Sequence, residues 1–307
     1  MTLEKISFAG WNDCIRIRHR DIEMLVAKSF GPRILRFGMI NEPNLLHLRP
    51  DQIGLTGGTE WRIYGGHRLW HAPEEMPRTY SPDNNPVDLQ LIDDGIKLIQ
   101  QSEPETGIQK SMEITFIPEQ NIVKVNHRLT NCGESGIQLA PWSLSVLDGE
   151  GRLIIPQESY QSADKAFSPV RAMAMWPYTR LHDTRWQWSD KYLQAIYDSK
   201  ISSEQKLGVS NTAGWMAYSL NGQTLIKLFS YDPRSTYPDF GSNAEVYIDG
   251  HFIEMETLGP LVLIPPGGMT EHAEYWTVEK IPLTFDDASI DAKLLPRIKA
   301  MKIITGY

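Results

Sequence analysis

Short runs of alternating apolar and polar residues, broken by turn-forming residues, dominate this chain. Cys14-Ile-Arg-Ile-Arg18, Glu23-Met-Leu-Val-Ala27, Met112-Glu-Ile-Thr-Phe-Ile117 and Ile122-Val-Lys-Val-Asn-His-Arg-Leu129 all follow this pattern. Gly151–Ile155, Trp215–Leu220, Thr224–Phe229 and Tyr275–Val278 continue it. A period of two with β-branched and aromatic enrichment predicts antiparallel strands. Asp94-Gly95, Asn221-Gly222, Asp249-Gly250 and Pro266-Gly-Gly268 supply the turns between them. Strands at this spacing, with almost no crossover helices, predict an all-β sandwich or barrel.

Two regions depart from the alternation. Residues 157–200 are rich in Ser, Asp, Met and aromatics and read as a long excursion carrying one short helix. The segment Asp287–Met301 places Ile290, Leu294, Leu295 and Ile298 at helical spacing, which predicts a helix packed outside the sheets. No repeat, low-complexity tract or linker is visible, so one domain over 1–307 is expected.

Asp249-Gly250 concentrates charge. A two-residue turn there sets Glu245 opposite Glu254 and places Glu245, Tyr247, Phe252, Glu254 and Glu256 on one sheet face. Like charges facing each other need water, a basic partner, a cation or a polar ligand to offset them. Glu256 also precedes Leu258-Gly-Pro-Leu-Val-Leu-Ile264, an apolar run. A carboxylate at the mouth of a buried strand is a candidate for a raised pKa and for proton transfer.

The densest chemistry lies in Trp61-Arg-Ile-Tyr-Gly-Gly-His-Arg-Leu-Trp-His-Ala-Pro-Glu74. Charged side chains are costly to bury unpaired, so this run suits a concave site better than a core. Its aromatic planes, imidazoles and guanidinium groups match a polar, ring-shaped ligand. In the excursion, Asp183-Thr-Arg-Trp-Gln-Trp188 combines Arg185 with two Trp in the same way.

The chain of 307 residues is 41% hydrophobic and 22% charged, ordinary for a soluble protein, with a net charge of −8 that speaks against nucleic acid. No secretory signal and no membrane span are visible, and a cytoplasmic location is expected. Two cysteines are too few for a disulfide framework or a thiolate metal site, and no cofactor motif occurs. The acidic hairpin could offer oxygens to Ca²⁺, but no residue spacing marks a metal site, so none is expected. The oligomeric state is not legible.

Several segments together resemble the galactose-mutarotase-like (aldose 1-epimerase-like) superfamily, over about Val26 to Ile281. They are Ser29-Phe-Gly-Pro-Arg-Ile-Leu35, Tyr64-Gly-Gly-His67, Leu139–Leu147, Met255-Glu-Thr257, Leu263–Gly267 and His272–Trp276. The resemblance implies a β-supersandwich of antiparallel sheets that binds a carbohydrate, an aldose or sugar acid, in an open cleft. It also implies that Glu256 is the general base. In that family an imidazole supplies the acid, but here Trp142 or Pro141 stands at its position and Tyr64 replaces the His of a His-Gly-Gly motif. His67 and His71 are therefore the expected replacement acids. Trp70 and Trp142 would stack on the sugar, with Tyr64, Arg68 and Arg185 as further contacts. Tyr237-Pro-Asp239 resembles a loop at the cleft edge, with Asp239 on sugar hydroxyls. The alternative expectation is a non-catalytic sugar-binding or sensing protein that lost the acid.

Overall fold

The computed structural model describes residues 1–307. Two antiparallel sheets of eleven and ten strands pack face to face. The expected strands all form, several longer than the alternation alone marks: Trp11–His19, Ile108–Phe116, Ile122–Asn131 and Met269–Lys280. The main core lies between the sheets, where Met24, Phe37, Val125, Val246, Met255 and Trp276 are fully shielded from solvent.

At the centre of the larger sheet, the strand His67–Ala72 pairs with Ile137–Leu147, which pairs with Ile253–Leu258. Ala244–Ile248 and Gln205–Val209 follow in order. These five strands carry the candidate site. The smaller sheet backs them with Gln223–Phe229, Met269–Lys280 and Ile122–Asn131.

The Tyr64-Gly65-Gly66 corner starts the first of these strands and shows why its glycines are needed. All three residues have positive φ, at 53°, 90° and 73°. A Cβ on Gly65 would meet the carbonyl of His47 at 2.1 Å, and one on Gly66 the carbonyl of Ile34 at 2.3 Å. Only hydrogen fits such a close backbone approach.

The Asn221-Gly222 turn forms as expected, with both residues at positive φ between paired Leu220 and Gln223. The Asp249-Gly250 turn does not. The Asp249 carboxylate accepts from the backbone N–H groups of His251 (2.6 Å) and Phe252 (2.9 Å), stabilising a four-residue loop. The register moves by two residues, so Glu245 faces Glu256 and Tyr247 faces Glu254. A shift of two preserves which face each side chain occupies, so the carboxylates still share one face.

The excursion holds no helix. It forms three short strands, Met173–Met175, Trp186–Trp188 and Tyr192–Ile196, that extend the sheet edges. The C-terminal helix is present but divided into Asp287–Lys293 and Leu295–Thr305, with Pro296 near the start of the second segment. Pro lacks the N–H that would continue the ladder and is tolerated in a first turn. Asp286 caps the first segment through Ser289 N–H, and Ile290, Leu294, Ile298 and Met301 bury against the smaller sheet.

Candidate functional site

A cavity of about 650 Å³ opens on the outer face of the larger sheet. Strand alternation decides what reaches it. From His67–Ala72, Arg68 and Trp70 face the cavity; from Ile137–Leu147, Trp142 and Leu144 do; from Ile253–Leu258, Glu254 does. Register puts Trp142 beside Trp70 and Leu144 beside both Arg68 and Glu256. Trp61, Trp70, Tyr80 and Trp142 form the aromatic wall, with neighbouring ring centroids 5.0–5.5 Å apart. Tyr178 and Tyr247 complete it. Flat aromatic faces beside fixed polar groups suit a ring with an apolar face and hydroxyl edges.

Two charge assemblies stand in this cleft. Arg68 donates to Glu254 at 3.0 Å and lies 4.6 Å from the Trp70 ring. Lys206, from Gln205–Val209, lies over the rings of both Trp142 (4.5 Å) and Trp176 (4.7 Å). Its ammonium sits 2.9 Å from Glu245 and donates to Glu256 at 3.3 Å. Trp142 Nε1 donates to the same Glu256 oxygen at 2.9 Å. Glu256 itself is fully buried beneath Trp142 and Lys206, and its Oε1 accepts no hydrogen bond, nor does Glu245 Oε1.

Two buried carboxylates therefore share one ammonium. Burial, then the charge of Glu254, pushes Glu256 up to about 7, against the pull of Lys206 and Trp142. Burial likewise holds Glu245 well above the usual carboxylate range, Lys206 opposing and Glu256 reinforcing. Burial opposes the Lys206 charge, but Glu245 and Glu256 overcome it and hold the ammonium well above the usual lysine range. The lysine stays charged, and the carboxylate pair holds a proton near neutral pH.

His67 and His71 do not reach this cleft. They occupy alternate positions to Arg68 and Trp70 on an extended strand, so both rings point into the interior, fully buried. That corrects the expected imidazole acid. His67 Nε2 lies 2.7 Å from His127 Nε2, and its Nδ1 2.7 Å from Ser145 Oγ. His127 Nδ1 donates to the carbonyl of His272 at 2.9 Å, which leaves its Nε2 to accept from His67. Ser145 Oγ, receiving Lys227 at 2.6 Å, then donates to His67 Nδ1. Glu274 accepts from Lys227 (3.1 Å), Trp276 (2.7 Å), Thr257 (2.6 Å) and Ser143 (2.9 Å). Burial pushes Glu274 up, but the Lys227 ammonium holds it well below the usual range. The network is closed by its own protons.

His67, His127 and Glu274 converge closely enough to invite a metal. Two nitrogens bound to one zinc at about 2.0–2.1 Å stand roughly 3.3 Å apart. The 2.7 Å His67–His127 spacing is instead that of a hydrogen bond, and Lys227 holds the Glu274 oxygen an ion would need. The donor set does not fit an ion in this arrangement.

Three other expected contacts lie elsewhere. Tyr64 is buried against Trp11 and Phe30, donating to Asn84 at 2.9 Å, because its positive φ turns the ring away from the strand face. Arg185 is fully buried, paired with Asp183 at 2.9 Å and donating to the carbonyl of Ser203, and so pins the excursion. Asp239 sits in the Pro238–Gly241 turn at positive φ and does not line the cavity. Of the expected site residues, Arg68, Trp70 and Trp142 meet at the cavity, with Glu256 directly behind. Glu254, already on the expected acidic face, opens onto the cavity. Lys206 was missed: Gln205-Lys-Leu-Gly-Val209 shows that it alternates with core residues, but not which carboxylates it meets.

No protein-family model and no curated protein matches the sequence. Solved structures do. A TPR-domain containing protein from Parabacteroides distasonis ATCC 8503 aligns over 88% of this chain with a TM-score of 0.60 and 15% identity. The match spans about half of that protein (47%). A galactose mutarotase-like protein from Lactobacillus casei ATCC 334 aligns over 87% of this chain and 100% of its own, with a TM-score of 0.58 and 9% identity. A protein from Escherichia coli K12 proposed as an aldose 1-epimerase aligns over 86% and 98%, with a TM-score of 0.54 and 13% identity. The fold is the galactose-mutarotase-like β-supersandwich.

Proposed function

We propose that this chain binds a carbohydrate in the cleft walled by Trp70 and Trp142 and acts on it as an aldose 1-epimerase. The observation that carries this reading is the aromatic cavity of about 650 Å³ with the buried Glu256 carboxylate behind its floor. Fold likeness to galactose mutarotase-like proteins supports the ligand class. Glu256 is the general base. Its position near 7 poises it to take a proton at neutral pH, and its Oε1 has no competing donor.

A thermal-shift screen of aldoses, uronates and sugar phosphates tests the binding, because a ligand of the native state raises apparent stability. An aldose raising the melting temperature supports the reading, and no shift from any sugar at high millimolar concentration ends it. NMR of a freshly dissolved α-anomer tests the reaction: wild type should accelerate mutarotation and Glu256→Gln should not. A non-catalytic sugar-binding protein is the second reading, favoured by the absence of any imidazole from the cavity wall. Binding without acceleration would select it.

A further inference from the structure

With both imidazoles turned inward, the cleft needs another proton donor, and one nitrogen acid faces it. We propose that Lys206 is that donor, returning protons with Glu256 as its partner. The inference rests on the epimerase reading above and assigns the acid which that reading lacks.

Lys206 lines the cavity at its carboxylate end. An ammonium has three N–H groups. Glu245 and Glu256 engage two at most, which leaves one for a ligand. Trp142 and Trp176 both lie against the Nζ, and Glu245 and Glu256 anchor it, so the donor is positioned before a sugar arrives. The charged groups facing it are Glu245 on its neighbouring strand, Glu256 one strand further, and Glu74 across the cavity, all acidic. Arg68 also lines the cavity, and its charge is engaged by Glu254.

The step balances within the pair. Glu256, which lies behind the cavity floor, takes the proton of the anomeric hydroxyl O1 through one intervening water as the O1–C1 bond becomes a carbonyl. The C1–O5 bond breaks, its electrons go to the ring oxygen O5, and Lys206 transfers a proton to O5. That leaves a neutral amine beside a neutral carboxylic acid, and one proton passing from Glu256 to Nζ, 3.3 Å away, restores the ion pair. The open-chain aldehyde rotates about C1–C2, and the reverse sequence closes the ring on its other face. No oxidant, metal or external base is consumed.

The wild-type protein gives the first test, using freshly dissolved α-galactose and α-glucose followed by polarimetry against buffer blanks from pH 5 to 9. An imidazole donor would lose its proton above its ordinary range near 6.5, so the enzymatic rate would fall between pH 7 and 8. A Lys206 donor instead gives a rate that rises as Glu256 ionises through about 7 and stays level to pH 9. Lys206→Met should lower the turnover by about 100-fold or more while thermal shift still detects the sugar. Because that variant leaves two carboxylates without their cation, Lys206→Arg is the companion. It keeps the charge but cannot release its proton, so turnover should fall while binding and folding persist. Full activity in Lys206→Arg, or an alkaline fall between pH 7 and 8, overturns the donor and leaves the epimerase reading standing. Sugar binding without mutarotation in wild type overturns both.

Discussion

The larger sheet has a polar assembly against each of its faces, and the two are built on opposite logics. On the interior face, His67, Ser143, Ser145, Thr257, His127, His272, Lys227 and Glu274 form a hydrogen-bonded cluster between the sheets, with the Glu274 carboxylate satisfied by four different donors. On the outer face, Glu245 Oε1 and Glu256 Oε1 are buried without a hydrogen bond, beside an open cavity. A satisfied buried network rigidifies a core, whereas unsatisfied acceptors are costly and are retained where a ligand or proton meets them. Residue type alone would have ranked them the other way, since imidazoles look more like catalysts than a lysine does.

The largest test removes a charge from the closed network. Lys227→Met leaves Glu274 buried without its counter-ion, and breaking such a pair by removing one partner costs about 3–5 kcal/mol. Chemical denaturation should show that loss, with sugar affinity per folded molecule unchanged. Adding Glu274→Gln should recover a large part of it, since the double variant buries no net charge. Equal losses in the single and double variants would mean that packing, not charge, holds this region.

Acid should separate the faces next. His67, His127, His71 and His272 all titrate below the ordinary range, chiefly through burial, His71 at about 3 and His272 at about 4. They stay neutral in the fold while the unfolded chain takes up protons, so stability falls as pH drops below 6.5. Each such group contributes roughly 1.4 kcal/mol per pH unit over that window. Glu256 and Glu245 act oppositely: raised in the fold, they favour it as pH falls from 7 towards 4.5. Denaturation curves at pH 7, 6 and 5 should therefore show falling stability, and the fall should steepen in Glu256→Gln. A flat wild-type profile would contradict the neutral interior imidazoles.

How much of this was legible follows from the same contrast. A strand is legible when its buried residues are apolar, as in Trp215–Leu220, which packs Met216, Tyr218 and Leu220 on one face and Trp215 and Ala217 on the other and forms at its expected ends. His67–Ala72 is buried on both faces and polar on both, so its alternation carries no hydrophobic signal and its histidines read as part of the cleft. Applying period two to those six residues would have separated His67 and His71 from Arg68 and Trp70. The acidic face survived an error in the turn only because the register moved by an even number. Lys206 and Glu256 are fifty positions apart, and nothing local connects them. Tyr64 and Arg185 look like ligand contacts in sequence because a buried aromatic hydroxyl and a buried guanidinium use the same donors on the protein's own carbonyls and amides.

Smaller effects sharpen the outer face. Arg68→Met unpairs Glu254, but that carboxylate borders the cavity, where water can reach it. The stability loss should therefore stay near 1–3 kcal/mol, below that of Lys227→Met. Sugar affinity should fall at the same time, and calorimetric titration with whichever aldose gives the thermal shift reads it. A stability loss matching the interior variant would place Glu254 in the same closed environment as Glu274.

Tyr178→Ala should disturb the fold least. Its ring is 41% exposed and belongs to the excursion rather than to the sheet floor. Surface truncations of this kind usually stay within about 0.5 kcal/mol. Yet Tyr178 lines the same cavity as Trp70 and Trp142, so a pyranose touching its ring would lose one aromatic contact. One aromatic contact is worth about 0.5–1.5 kcal/mol, which is roughly a 2- to 10-fold weaker dissociation constant. A variant that keeps its melting temperature and loses that affinity places the ligand between the excursion and the sheet. A variant that loses neither moves the ligand to the floor alone, over Trp70 and Trp142.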